Sequence, residues 1–458
     1  MAFDNRDSID FANAKIPQLF ANIFFPTLLG MVFSIAFILT DGIFIGNGVG
    51  SDALACINLV APIMMFSSAT GMMLAVGSSV VAAIHISKGN EKAARINITQ
   101  AIWTALIFFV VICILMYAFP RPVLRLLGTT ERLMPMALDY YLWFIPTCLF
   151  SMIQVIGSFT VRLDGNPKFA MFMNIVPSVI NCILDYTFIF PLKWGLMGAA
   201  LATDIGGFTA VLMFVYYMVR KSKVLKWYYL KATVTSVRLA IRNVGYMVKV
   251  GFSGFINEFS IAAMMISGNY MFVRMLGEDG VAAFSVSCYL FPVIFMIDNA
   301  VAQSAQPIIS YNYGKNNTAR VKKTFRFSIF TAIMCGVAVI ALLNIFCNPV
   351  ISAFLHRGTN AFNIASEGFP YFTSGFIFFA VNIAVIGYYQ SIEKAAKATV
   401  FTIMRGIVFP VAFFMILPYL AGFHGLWLAV PASELATTLL IFLVSFGDRR
   451  IMHKKTEA

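Results

Sequence analysis

Six carboxylic acids stand inside stretches of chain that are otherwise apolar: Asp41, Asp185, Asp204, Glu258, Asp298 and Glu434. Each stretch is long enough to be a membrane helix, where an ionisable side chain is costly and function is its first explanation. A carboxylate near a helix end that reaches water is the plainer reading for Asp204 and Glu434, and it weighs equally with function for Asp298. Asp41 and Asp185 lie deeper. Asn181 precedes Asp185 by four residues, so the two share one helix face with Pro177. Asp41, Asp185 and Thr203 all fall in the outer third of the first half of the chain. Two carboxylates, an amide and a hydroxyl that converge in an apolar bundle can do three things. They can coordinate a dehydrated Na⁺ through oxygen, share a proton between the acids, or form a plain hydrogen-bond network. Glu258 sits in mid-span. It either faces a cleft and meets a cationic substrate or a proton, or it is a neutral carboxyl bonded to a neighbouring helix. Pro26, fifteen residues before Asp41, removes a backbone hydrogen bond and can bend its helix. It is a candidate hinge coupled to the acid, although prolines are frequent in membrane helices.

The elements that must carry these residues follow from composition. Of 458 residues, 60% are hydrophobic and 12% charged, with a mean hydropathy of +0.83. Soluble domains are roughly half apolar and a quarter charged. A soluble globule could not hide this much apolar surface, and disorder needs the opposite bias. The class is therefore an all-α polytopic membrane protein. The net charge of +13 would suggest nucleic acid in a soluble chain. Here it reflects Lys and Arg held on the cytoplasmic side, and no nucleic-acid partner is expected. Seven cysteines lie within or beside apolar stretches without CxxC pairing. They read as small core residues, not as a disulfide framework or a zinc site. The polar N-terminus followed by a full-length apolar stretch reads as an uncleaved first span.

Hydropathy places twelve spans near 16–46, 53–86, 97–119, 136–159, 169–191, 195–219, 246–275, 280–311, 327–348, 368–390, 396–418 and 424–446. The second and eighth contain Pro and Gly, and each reads as one long, bent helix. With both termini cytoplasmic, only Arg121, Arg125, Arg132, Lys193, Arg274 and Arg357 fall in outer loops, and Arg405 falls inside a span. All other Lys and Arg are then cytoplasmic, which supports the count and the orientation. The organisation expected is a cytoplasmic tail over 1–15, an N-terminal lobe over 16–219, a basic cytoplasmic linker over 220–245, a C-terminal lobe over 246–447 and a tail over 448–458. The linker reads as carrying an amphipathic helix on the lipid surface. The lobes resemble repeats. Gly89, Ala94 and Arg95 recur as Gly314, Ala319 and Arg320, and Gly195-Leu196 recurs as Gly425-Leu426. Six spans per half predict two lobes related by a pseudo-twofold axis along the membrane normal, enclosing a cleft. No Walker A or HExxH motif is present, so ATP hydrolysis and zinc catalysis are not expected. The histidines at 85, 356, 424 and 453 lie near span ends or in the tail.

Three segments then carry a resemblance. Pro26 with Asp41-Gly42-Ile43-Phe44-Ile45-Gly46 resembles span 1 of the multidrug and toxic compound extrusion (MATE) transporters. Leu163-Asp164-Gly165-Asn166-Pro167-Lys168 with Pro177, Asn181 and Asp185 is similar to their spans 4 and 5. Gln306-Pro307-Ile308-Ile309-Ser310-Tyr311-Asn312-Tyr313-Gly314 is similar to the end of their span 8. The likeness covers nearly the whole chain, with the 6+6 layout and the basic central loop. It implies an antiporter that expels organic cations or other toxic compounds in exchange for H⁺ or Na⁺. Its prokaryotic cation site maps onto Asp41, Asn181, Asp185 and Thr203, which are the candidate Na⁺ ligands. Pro26 matches a proline tied to bending of span 1, and Glu258 resembles a span 7 acid of the Na⁺-driven exporters. The span 10 acid of that branch is replaced by Asn382, with Glu367 and Glu393 only at the span ends.

The function expected is thus a secondary active antiporter, not an enzyme, working by alternating access between two lobes. It needs no cofactor beyond H⁺ or Na⁺ as coupling ion. It handles organic cations or amphipathic small molecules and sits as a monomer in the inner membrane. The alternative is a lipid-linked precursor flippase of the same superfamily. That reading wants a cationic cleft for pyrophosphate, whereas the intramembrane charges here are mostly acidic.

Overall fold

The computed structural model describes residues 9–230 and 233–456, with Ser51 and 446–456 described by backbone alone. Residues 1–8 of the expected N-terminal tail, Lys231 of the expected linker, residues 457–458 and the side chain of His453 lie outside the described residues.

The described chain is nearly all helix. In order it forms α1 (Ile16–Gly48), α2 (Ser51–Ser87), α3 (Glu91–Ala118), the short α4 (Pro120–Leu126), α5 (Met134–Leu163), α6 (Pro167–Ile189) and α7 (Gly195–Tyr216). A π-helical turn, Tyr217–Lys221, ends α7. Then come α8 (Val234–Gly314), α9 (Thr318–Ile345), the short α10 (Cys347–Ser352), α11 (Asn360–Thr373), α12 (Phe376–Ser391) and α13 (Ala395–Ile403). A second π-helical turn, Met404–Val408, leads into α14 (Phe409–Thr456).

Nine continuous helical stretches among the described residues are long and apolar enough to span a bilayer. The pair α11 and α12, bent by 44°, makes a tenth span. Two of the nine contain a break. Gly277 (φ 66°) divides α8 and Gly422 (φ 55°) divides α14. Both occupy a backbone region where only glycine is unstrained. Each break separates two spans, which brings the total to the expected twelve. Their outer faces carry exposed Ile107, Ile114, Ile266 and Leu443, as a multi-pass membrane protein requires. Inside, glycines let helices close on one another. A Cβ on Gly77 would collide with the Met247 carbonyl, and one on Gly251 with the Met73 carbonyl, so α2 and the start of α8 cross backbone to backbone.

The chain divides into two compact units. One comprises Met1–Phe255 and Pro307–Val321, the other Ile256–Gln306 and Lys322–Ala458. In the first, aliphatic residues of α2, α3 and α5 pack around Phe159, Phe214 and Tyr217. The connections after α5 and α7 are clamped. Asp164 accepts hydrogen bonds from the backbone N–H groups of Lys223, Val224 and Leu225 at 2.9–3.0 Å and from the Tyr217 hydroxyl at 2.8 Å. The two repeat arginines share a task. Arg95 donates to the Val224 carbonyl at 2.7 Å, and Arg320 donates to the Phe11 and Ala14 carbonyls. Asp10, in the segment Arg320 holds, has its carboxyl kept below the usual range, chiefly by the Asn13 side-chain amide. The second unit has an aromatic core built on Phe272, Phe284, Phe291, Phe372, Phe379 and Trp427.

Two expectations change. The helix of the basic linker is not a separate surface element; it starts at Val234 and runs straight into span 7. Its start still exposes Val234, Val237 and Ile241. Arg162, counted with the cytoplasmic loops, is buried in the last turn of α5, where it donates to the Ser158 carbonyl and packs over Phe159.

Candidate functional site

The buried stripe of α6 reads Ala170, Met173, Pro177, Asn181, Asp185 and Ile189, every third or fourth residue. That spacing is one face of a helix, so the two polar residues are carried inward by the same periodicity that buries the apolar ones. Asp185 is fully buried and Asn181 nearly so.

α1 runs alongside α6 with numbers rising together. Gly30 lies against Asn174, Phe44 meets Tyr186 edge-on at 6.1 Å, and Gly48 sits under Ile189. This register sets Asp41 against Asp185. The two carboxyls are close enough for a proton between them to make a hydrogen bond. From the other side α7 approaches through Gly206. A Cβ there would stand 3.0 Å from the Pro177 carbonyl oxygen and 3.1 Å from Asn181 Cβ. The close approach brings Thr203 to Asn181, whose Nδ2 donates to Thr203 Oγ1 at 3.1 Å; that hydroxyl in turn donates to the Ala199 carbonyl at 3.0 Å.

The four residues singled out in the sequence therefore meet. Asp41 Oδ1, Asn181 Oδ1 and both oxygens of Asp185 are buried without a hydrogen-bond donor. Buried polar atoms are normally satisfied. A set of bare oxygens is what a proton or a small hard cation binds. Tyr140 of α5, stacked on Phe144 at 5.1 Å, places a further hydroxyl within electrostatic reach of both acids. Sequence reasoning passed over Tyr140 and Gly206. The tight approach at Gly206 is visible only once α7 lies on α6, and Tyr140 sits on a helix whose inward face is set by packing.

The other acids are placed differently. Asp204, next to Thr203 in the chain, turns toward α5 and accepts from Thr147 Oγ1 at 2.5 Å. Glu258 is half-buried and makes no hydrogen bond or ion pair among the described residues. The reading of Glu434 as a carboxylate reaching water is corrected: it is 3% exposed and paired with Arg405 Nε at 3.1 Å. Asp298 is equally enclosed, at 3% exposure. Asn382 donates to Glu434 Oε2 at 2.7 Å, so it serves the ion pair. The lone Arg in span 11 was the one signal in the sequence, since a buried charge requires a partner, but it did not say which of the intramembrane acids would meet it. Pro26 lies inside α1, which continues through it unbroken.

The MatE family model matches residues 26–187 and 255–415, more than half of the chain. The chain belongs to this family of multidrug efflux transporters and is a transporter, not an enzyme. It is similar to a FAD transporter of Shewanella oneidensis, 24% identical over 357 residues and 76% of each chain. It is also similar to the multidrug export protein MepA of Staphylococcus saprophyticus, 24% identical over 432 residues and 92% of each. A solved structure described as the outward-facing conformation of a multidrug resistance MATE family transporter matches with a TM-score of 0.89. It is 22% identical and covers 98% of this chain and 99% of its own. That likeness, with the twelve spans, places the chain in the twelve-helix, two-lobe MATE fold.

Proposed function

We propose that this transporter is a secondary active antiporter that exports organic cations or amphipathic small molecules in exchange for H⁺ or Na⁺. Asp41, Asn181, Asp185 and Thr203 hold the coupling ion. The observation that carries this is the cluster of donor-less buried oxygens on α1 and α6. The relatives named as multidrug export proteins support the choice of cargo.

In this reading the cargo enters from the cytoplasm or inner leaflet, and the lobes alternate between inward and outward access. Ion binding at Asp41 and Asp185 then favours the state that releases cargo. A ligand drives such a change only by binding the two states with different affinity. Two ionised carboxyls in contact repel, and a proton or Na⁺ between them removes that repulsion. Ion binding would thus draw α1 onto α6, with Pro26 as the point where α1 bends. Glu258 meets the cargo or a proton. Both termini face the cytoplasm, and the membrane is the inner one.

The test uses purified protein in liposomes loaded with ethidium. A pH gradient alone and a Na⁺ gradient alone are imposed, with Asp41→Asn as control and FAD as a second cargo. Movement driven by one gradient and lost in the variant establishes antiport and names the ion. An Asp41→Asn protein that still extrudes ethidium at the wild-type rate removes the site from the mechanism.

A further inference from the structure

The second unit contains a buried charge cluster that the α1–α6 site does not use. Its centre is Arg405, 2% exposed and carried on the π-helical turn Met404–Val408. Such turns inside helices recur at functional sites. Gly406 lets this turn press against Ser260, which brings the guanidinium to Asn257. Arg405 is fully engaged on one side. Its Nε contacts Glu434 Oε1 at 3.1 Å and Oε2 at 3.3 Å, Nη1 donates to Asn257 Oδ1 at 3.1 Å, and the guanidinium lies 4.3 Å from the Phe379 ring centre. Glu434 is completed by Asn382, which Thr438 in turn holds at 2.9 Å.

Arg405 and Glu434 cancel each other's charge. Asp298 is the remainder. Its Oδ2 is buried and has no hydrogen-bond donor. The charged and titratable groups within electrostatic reach of it are Arg405 on the π-helical turn, Glu434 on α14 and the Cys335 thiol on α9. Ionised, Asp298 would leave an uncompensated negative charge in a low-dielectric interior, which is strongly unfavourable. A Na⁺ ion there would be repelled by Arg405 and would find few free oxygens, since those of Glu434 and Asn382 are already engaged. A proton meets neither obstacle.

We infer that Asp298 is a second proton-binding carboxyl, held neutral while Arg405 pairs with Glu434. On losing its proton, Asp298 would compete with Glu434 for the guanidinium. The proton state of Asp298 therefore sets which partner Arg405 and its helical turn engage. The inference concerns residues outside the α1–α6 site; its consequence for transport rests on the antiport reading above.

Two readouts test it separately. Infrared difference spectra of the full-length protein in lipid, taken across a pH titration, should contain a protonated-carboxyl C=O band. That band disappears in Asp298→Asn and changes frequency in Asp298→Glu. In Glu434→Gln it persists and titrates away at lower pH, because Arg405 then has only Asp298 to pair with. A spectrum unchanged in Asp298→Asn overturns the assignment, as does a band abolished at every pH in Glu434→Gln. In ethidium-loaded liposomes, Asp298→Asn should export with a single proton fewer per cation than wild type. An unchanged ratio overturns the link to transport. If wild type moves no ethidium under either gradient, the antiport reading fails and the infrared band alone decides Asp298.

Discussion

Asp185 and Arg405 are both buried charged residues, and they face opposite situations. Asp185 has two oxygens without donors, so its carboxylate is poorly solvated by the protein. Replacing it with Asn supplies an N–H donor beside Asp41. An unsatisfied buried polar group costs ~1–3 kcal/mol, so Asp185→Asn should raise thermal stability by about that amount while abolishing gradient-driven export. Melting of the detergent-purified protein and the liposome assay check the two halves. A variant that is both less stable and still coupled would contradict the geometry. Arg405 is the reverse case, a charge whose partners are in place. Removing one member of a buried pair costs ~3–5 kcal/mol, so Arg405→Gln should destabilise by that order. Adding Glu434→Gln should restore part of the loss, because the double variant leaves no unpaired charge at that pair. A double variant as unstable as the sum of the singles would argue against the pair.

Helices position these groups through small residues at fixed points. Gly206 brings α7 within reach of Asn181, and Gly77 with Gly251 lets α2 and α8 cross at backbone distance. The two contacts differ in tolerance. A Cβ at 206 needs only a slight shift of its neighbours, whereas one at 77 or 251 strikes a carbonyl. Overpacking typically costs ~1–3 kcal/mol. Gly206→Ala should therefore fall at the low end and weaken coupling, with Asn181 and Thr203 pushed apart. Gly77→Ala should fall at the high end, with loss of folded protein measured by size-exclusion fluorescence. The segment after α7 is held by a different device. Asp164 accepts from three consecutive backbone N–H groups and a tyrosine hydroxyl. Asp164→Ala should free residues 222–230 and speed their cleavage by protease in inverted vesicles, and equal cleavage rates would show that the clamp is dispensable.

For the whole molecule, orientation is the testable property. The proposed orientation, with both termini in the cytoplasm, predicts Lys193 outside and Lys315 inside. In a background with the native cysteines replaced, an impermeant maleimide applied to intact cells should label Lys193→Cys and spare Lys315→Cys. The opposite pattern would invert the topology and move the α1–α6 site to the inner half of the bilayer. Both positions are exposed, so accessibility is not limited by packing.

The sequence by itself determined the membrane class, the twelve spans and the face that Asn181 and Asp185 share. Those follow from local facts: apolar length sets a span, and a spacing of four sets a helix face. The turn between α5 and α6 was also local. Asn166 caps α6 by accepting from Phe169, and Pro167 follows at the first helical position. What the sequence could not decide was which acid meets which partner. Asp204 and Thr203 are neighbours in the chain, yet one turns to Thr147 on α5 and the other to Asn181 on α6. Glu434 reads as an acid near a helix end until Arg405, 29 residues away, is folded against it. Only the packing of helices decides these pairings, because a buried charge is stabilised by whatever tertiary contact brings within a few ångströms, and hydropathy carries no record of that distance.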